Sequence, residues 1–264
     1  MIKTDGIVKR NSIFKMIDYL WGGFATLSVI FLMLGAWEFG SKMLGEFILP
    51  SPLVVLQKVY EILKDYAKHD ILITIERMII GIGVSSLVGI FLGLIAGSSK
   101  TMRVLLKPFI TFLLTMPPII WVVLAFIWFG FGDFSTIFTI IITVLPLTFS
   151  SSMMGMASVD SDLEEVFSLY KLGIYKKIWY FYIPQLISYI ISSLSIAISM
   201  GAKIVVMTEL LSATNGIGAR IADARSLLEM DAVLAYVCII IAFLALIEYL
   251  LIKPLEILLM PWRR

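Results

Sequence analysis

VDSDLEEVFSLYKLGIYKKIWYFYIPQL, Val159 to Leu186, is the longest polar interruption in the second half of the chain. It lies between two apolar runs, each long enough to cross a bilayer. The stretch opens acidic with Asp160, Asp162, Glu164 and Glu165 and turns basic at Lys171, Lys176 and Lys177. It then becomes aromatic through Trp179, Tyr180, Phe181 and Tyr182 before Pro184. Acid first and base last is the order that complements a helix dipole. An aromatic cluster at the exit marks the level where a chain re-enters lipid. The stretch therefore reads as a helix-containing loop, about residues 159–184, at a membrane face.

The composition agrees. Sixty per cent of the 264 residues are apolar and the mean hydropathy is +0.99, which excludes an ordinary soluble domain. The length has room for about six spans of roughly 20 residues each. One cysteine, Cys238, and one histidine, His69, cannot build a disulfide, a zinc site or a Cys/His nucleophile. No glycine-rich Walker loop is present, so any energy must come from a partner or a gradient. No nucleic acid and no cofactor held by this chain are expected. The expectation is an all-α membrane protein, one transmembrane domain over residues 1–264, with a core of about residues 70–253.

The first span is expected over residues 19–39, with Trp21 and Trp37 near its ends as interface anchors. Ser51 and Pro52 then open a short helix, 51–66. Val55, Leu56, Val59, Tyr60, Leu63 and Tyr66 fall on one face of it, as in an interfacial helix. A second span, 71–97, carries Gly89, Gly93 and Gly97 at every fourth position, a face so bare that another helix can approach closely. That face is either static packing or a moving interface. Glu76 and Arg77 open this span and are expected at its interface. Spans three (105–129, interrupted by Pro117-Pro118) and four (135–153) meet at the tight turn Phe129–Phe134. Spans five (185–211) and six (232–252) follow the opening stretch.

Span five holds the most chemistry. Ser188, Ser192, Ser195 and Ser199 recur at helical steps and form one polar stripe. Lys203 and Glu209 fall about 60° to either side of it. Charges in a span face a bundle interior or a wet path. Two readings stand: the pair braces the bundle through partners on other helices or a second copy, or the stripe lines a translocation path with Lys203 in it and Glu209 toward a gate. Counting Lys and Arg in the connections, with the amino terminus inside, gives thirteen inside and six outside. Both termini and the Val159–Leu186 loop are thus expected in the cytoplasm.

The Val159–Leu186 stretch resembles the Glu-Ala-Ala loop of permease subunits of binding-protein-dependent ABC importers, in the nitrate, sulfonate and taurine branch. Anchored on Pro184, Glu165 takes the glutamate slot and Asp160-Ser161-Asp162-Leu163 the branch's Asp-Pro-Glu-Leu. Val166-Phe167 stand for Ala-Ala, and Lys171 stands in the glycine slot with Gly173 two residues later. MPPIIWVVLAFIWFGFG, from Met116, and the Gly-Ile-Gly after Glu209-Leu210-Leu211 resemble the same branch. The resemblance implies six spans in the type I importer architecture and a homodimer of permeases in the lipid bilayer. It further implies ATPase subunits carrying ATP and Mg on the cytoplasmic face, and an external binding protein that delivers a small solute, anionic, zwitterionic or vitamin-like. Asp160, Glu164, Glu165, Val166, Lys171, Gly173, Lys176, Lys177 and Pro184 would form the coupling loop. A gradient-driven six-span carrier or channel is the alternative; an intramembrane hydrolase pairing a span-five serine with Lys203 is a third.

Overall fold

The computed structural model describes residues 12–159, 165, 169–170, 173–212 and 215–259. Among them there are helices and connections but no strand. The chain divides into two compact units, Met1–Lys58 and Val59–Arg264.

In the first unit, α1 runs from Ser12 to Leu44 and contains the expected first span. It stops at Gly45, whose φ of 84° is the left-handed conformation that ends helices and that glycine adopts without strain. The Gly45 N–H returns to the Ser41 carbonyl at 2.9 Å. Trp37 Nε1 donates to the Pro50 carbonyl at 3.0 Å and ties the following turn to the helix. Helix α2, Pro52–Lys64, carries proline at its first position, as expected, and crosses the boundary between the units. The single apolar face expected for it is split. Val55 and Ile62 are buried, whereas Leu56, Tyr60, Leu63 and Tyr66 are exposed.

The second unit is built on three long helices, α3 (Ile71–Ser98), α6 (Asp133–Ala157) and α8 (Ile183–Ser212). Their shared core is Met78, Ile82, Ile140, Val144, Ala197, Ala202, Ile204 and Val205. A side chain at Gly81 would strike Ile140, one at Gly93 would come 2.5 Å from the Phe149 carbonyl oxygen, and one at Gly97 would come 2.5 Å from Met156 Cβ. Contacts therefore advance in step along both helices, so α3 and α6 run parallel. Gly89 sits in the same seam: a Cβ there would overlap the Thr148 hydroxyl, which donates to the Ser85 carbonyl at 3.2 Å. The close approach of two backbones is what this row of glycines permits.

Parallel neighbours need a connection that returns the chain, and α4 (Lys100–Thr115) with α5 (Pro118–Phe129) supply it. The third span is not one interrupted helix, as the sequence suggested, but two helices bent by 92°. Each residue before a proline is pushed from helical into extended geometry. Met116 (ψ 127°) and Pro117 (ψ 134°) obey this in succession, so the break spans two residues.

Helix α7 (Ile174–Lys177) passes through a π segment, Ile178–Tyr182, into α8. Helix α8 runs antiparallel to α3 and α6: Gly201 rests on Ile82, and Gly155 lies under the Tyr189 ring. Helix α9 (Ile217–Ser226) and α10 (Met230–Ile247) follow, then a second π segment (Glu248–Ile252) and α11 (Lys253–Leu259). Among the described residues four helices are long and apolar enough to cross a membrane, or five if α4 and α5 count as one span. The unit thus has two ends. One gathers the starts of α3 and α6, the end of α8 and the turn into α9; the other gathers the ends of α3 and α6 and the entry to α8.

Candidate functional site

The first end is organised by Arg77. Its guanidinium is buried, with the side chain 3% exposed, one turn after Thr74 on the same face of α3. Nε donates to Asp133 Oδ1 at 2.8 Å, and Nη2 also reaches that oxygen. Nη1 donates to Glu209 Oε1 at 2.7 Å and to the Asn215 carbonyl at 2.9 Å, while Nη2 reaches the Asn215 side-chain oxygen. Each of the five N–H groups of the fork has an acceptor, which is the condition for burying this cation.

Glu209 is completely buried. Thr74 Oγ1 lies 2.8 and 3.0 Å from its two carboxylate oxygens, and the Gly218 N–H donates to Oε2 at 3.1 Å. The Ile217 N–H, a second donor at the start of α9, goes to Thr74 Oγ1 at 2.8 Å. A carboxylate at a helix start meets unsatisfied N–H groups and the positive end of the dipole. The glycines of Asn215-Gly-Ile-Gly make this cradle possible. Gly216 has φ 103° and a Cβ there would overlap the Glu209 carboxylate; one at Gly218 would come 2.6 Å from Glu209 Cβ. Beside the cradle, Arg220 Nε donates to Asp70 at 2.9 Å, and His69 Nδ1 lies 2.7 Å from the Tyr236 hydroxyl.

Below the cradle, α8 turns a polar stripe outward. Ser192, Ser199 and Lys203 are exposed, whereas Ser188 and Ser195 are half-buried. Ser195 Oγ donates to Glu248 Oε2 at 3.0 Å across to the π segment after α10. Lys203 has no ion pair among the described residues and edges a groove of about 370 Å³ lined by Val206, Met207, Val237, Ile241 and Leu244. Lys203 and Glu209, paired in the sequence reading as flanks of one stripe, have parted: one looks away from the bundle and the other into it.

At the second end, Asp160, Glu164, Val166 and Lys171 lie outside the described residues. Glu165 is helical and exposed. Gly173 opens α7 by accepting from the Lys176 and Lys177 N–H groups at 2.9 and 3.1 Å. Lys176 is exposed, and Lys177 Nζ stands 5.8 Å from the Tyr182 ring centroid. Trp179 and Tyr180 are exposed while Phe181 is buried. Ser158, Pro184, Gln185, Ser188 and Tyr189 line an open cavity of about 410 Å³, across which Ser158 Oγ donates to the Tyr189 hydroxyl at 3.1 Å. Arg103 Nη2 caps the end of α3 at the Gly97 carbonyl, 2.6 Å away.

Residues 89–251 match the family described as the binding-protein-dependent transport system inner membrane component. The chain belongs to this family. The permease is 28% identical over 229 residues to the taurine transport system permease protein TauC of Escherichia coli K12, covering 84% of this chain and 82% of that one. It is 30% identical over 224 residues to the nitrate import permease protein NrtB of Synechocystis, 81% of each chain. It is 26% identical over 243 residues to the formylaminopyrimidine transport permease protein ThiX of Halalkalibacterium halodurans, 90% of this chain and 95% of that one. The permease is thus a transport subunit of an ABC importer in the prokaryotic inner membrane, all-helical with the type I permease fold, in the nitrate, sulfonate and taurine branch. The gradient-driven carrier and the intramembrane hydrolase give way to it.

Arg77, Thr74, Asp133, Asn215 and Glu248 were not singled out as site residues from sequence. Arg77 was expected at the interface because it lies near the start of its span, yet it is buried by partners contributed from three distant segments. The available signal was the spacing of Thr74 and Arg77, one face of a helix that would otherwise be apolar.

Proposed function

We propose that the permease forms, with a second copy of itself, the translocation path for a small anionic or zwitterionic solute delivered by an external binding protein. Separate ATPase subunits, which bind ATP and Mg, dock on the end that holds residues 159–184. The observation that carries this reading is the split on α8: Glu209 is sealed inside the bundle, but Ser192, Ser199 and Lys203 are exposed, Lys203 at the rim of the groove between α8 and α10. An ionised lysine in a span costs on the order of 2.5–3.5 kcal/mol on insertion scales unless it is paired or wet. A second copy facing this stripe would enclose a polar passage, with Lys203 attracting the anionic group. Nitrate and taurine, named for two relatives, each carry such a group. The charge asymmetry of the connections supports an orientation with the Arg77 end outside and the Tyr189 end in the cytoplasm.

The test is uptake in cells or proteoliposomes holding the full importer. Lys203→Met is expected to cut uptake by about tenfold or more while the complex assembles and hydrolyses ATP, and Lys203→Arg to recover part of it. Failure of Lys203→Met to assemble would make the lysine a brace, and normal uptake would remove it from the path.

A further inference from the structure

The turn between α5 and α6 places an acid between two exposed aromatic side chains: Phe131 and Phe134 are 67% and 65% exposed, and the Asp133 side chain between them is 69% exposed. This surface carboxylate is nevertheless joined through one oxygen, Oδ1, to the buried Arg77, and through Arg77 to Glu209 and the Asn215 loop. An aromatic pair flanking a half-engaged acid is a surface that suits a cation set in an apolar rim. The whole end has the same sign. Residues 59–77, 133 and 209–231 carry nine carboxylates against five Lys and Arg. A basic patch is the complement of such a field.

We propose that the Phe129–Phe134 turn is a docking contact for the external binding protein, which presents a lysine or arginine to Asp133 between Phe131 and Phe134. The contact is read through Asp133 and Arg77. When an incoming cation draws on Asp133, the fork of Arg77 loses part of its hold on one side, and the balance shifts toward Glu209 and Asn215. Docking at the surface thereby repositions the loop that closes the end of α8, the helix that carries Lys203. Arg77 and Asp133 are positioning residues in this scheme; neither touches the solute. The inference rests on the importer reading and on the Arg77 end facing outward.

The experiment uses the complete permease–ATPase complex in nanodiscs with its binding protein. The affinity is measured at about 50 and 300 mM salt, conditions that screen exposed charges differently, together with the ATP hydrolysis that the binding protein stimulates. Asp133→Asn and Phe131→Ser should each raise Kd by about tenfold, and Asp133→Glu should stay near wild type. The salt dependence of Kd should flatten in Asp133→Asn. Arg77→Lys, which keeps the charge but loses the planar fork, should bind the partner normally and lose most of the stimulation. Unchanged affinity in both Asp133→Asn and Phe131→Ser would overturn the docking contact. If Asp133→Asn does not assemble, Phe131→Ser decides alone. Full stimulation in Arg77→Lys would overturn the relay. Phe131→Cys in a Cys238→Ala background, probed with a membrane-impermeant maleimide, separates the two levels. Labelling only from the cytoplasmic side would refute the orientation on which the importer reading depends, whereas external labelling with unchanged affinity would refute only this inference.

Discussion

The two ends of the second unit are held by opposite means. At the Arg77 end every donor of a buried cation is matched, and two glycines are required at fixed positions by the carboxylate that lies on them. At the Tyr189 end, among the described residues, hydroxyl contacts bridge α6 and α8, Ser151 to the Tyr189 carbonyl at 3.1 Å and Ser158 to its hydroxyl, beside an open cavity, and Arg103 caps α3. Fixed charge networks break at high cost and all at once. Isolated, part-exposed hydrogen bonds each contribute about 0.5–1.5 kcal/mol and can be exchanged for water. The difference makes the Arg77 end a coupled network, in which a pull on one member is felt by the others, and the Tyr189 end a place where single contacts can be exchanged.

The largest effect expected follows from Glu209. Glu209→Ala leaves Arg77 with an uncompensated share of its charge in a dry site, and breaking one partner of a buried pair costs about 3–5 kcal/mol. The variant should fail to give a monodisperse complex by size exclusion, or should melt well below wild type. Glu209→Gln keeps the shape and some hydrogen bonds and should fall between. Wild-type melting of Glu209→Ala would mean that the network contributes no stability, and the contrast between the ends would collapse.

Next comes the glycine seam, which belongs to neither end. Gly93→Leu must push α3 off α6, since even a Cβ comes 2.5 Å from the Phe149 carbonyl oxygen. Overpacking of this kind costs typically about 1–3 kcal/mol. Leu92, 39% exposed on another face, should tolerate alanine with little change in assembly or uptake. Equal behaviour of the two variants would show that the seam yields, and that α3 and α6 are free to slide.

How much of this was legible depended on whether the information was local. The ends of α3, α6 and α8 follow from apolar run length, and the break before α5 from two prolines, both readable within one window of sequence. The polar stripe on α8 was readable from its period. What periodicity could not supply was the partner of Glu209. Arg77 lies 132 positions away, and its burial depends on Asp133 and Asn215 arriving from two further connections. Periodicity also assigned α2 one apolar face where it has a buried one and an exposed one, because a repeat of apolar residues does not say what covers it. The parallel course of α3 and α6 was equally invisible, since it lies in the contact register of the glycines and not in any motif.

The smallest effect on folding, and a sharp test of the contrast, is expected at Glu165. Its side chain is exposed on a helical residue of the 159–184 segment, and an exposed carboxylate contributes at most about 1 kcal/mol to any pair. Glu165→Ala should therefore melt like wild type. Gly173→Pro should be nearly as harmless to the bundle: open space surrounds Gly173, and although its carbonyl accepts the first bonds of α7, proline keeps that carbonyl. If the segment seats the ATPase, both variants should nonetheless lose ATPase capture in a pull-down, or keep capture and lose uptake, because the contact they alter lies between chains. The pairing of unchanged melting with lost coupling is the signature of the adjustable end. It is the reverse of Glu209→Ala, where melting fails first and coupling only as a consequence. Wild-type capture and uptake in both Glu165→Ala and Gly173→Pro would remove this segment from the coupling role, and the open Tyr189 cavity would then need another explanation.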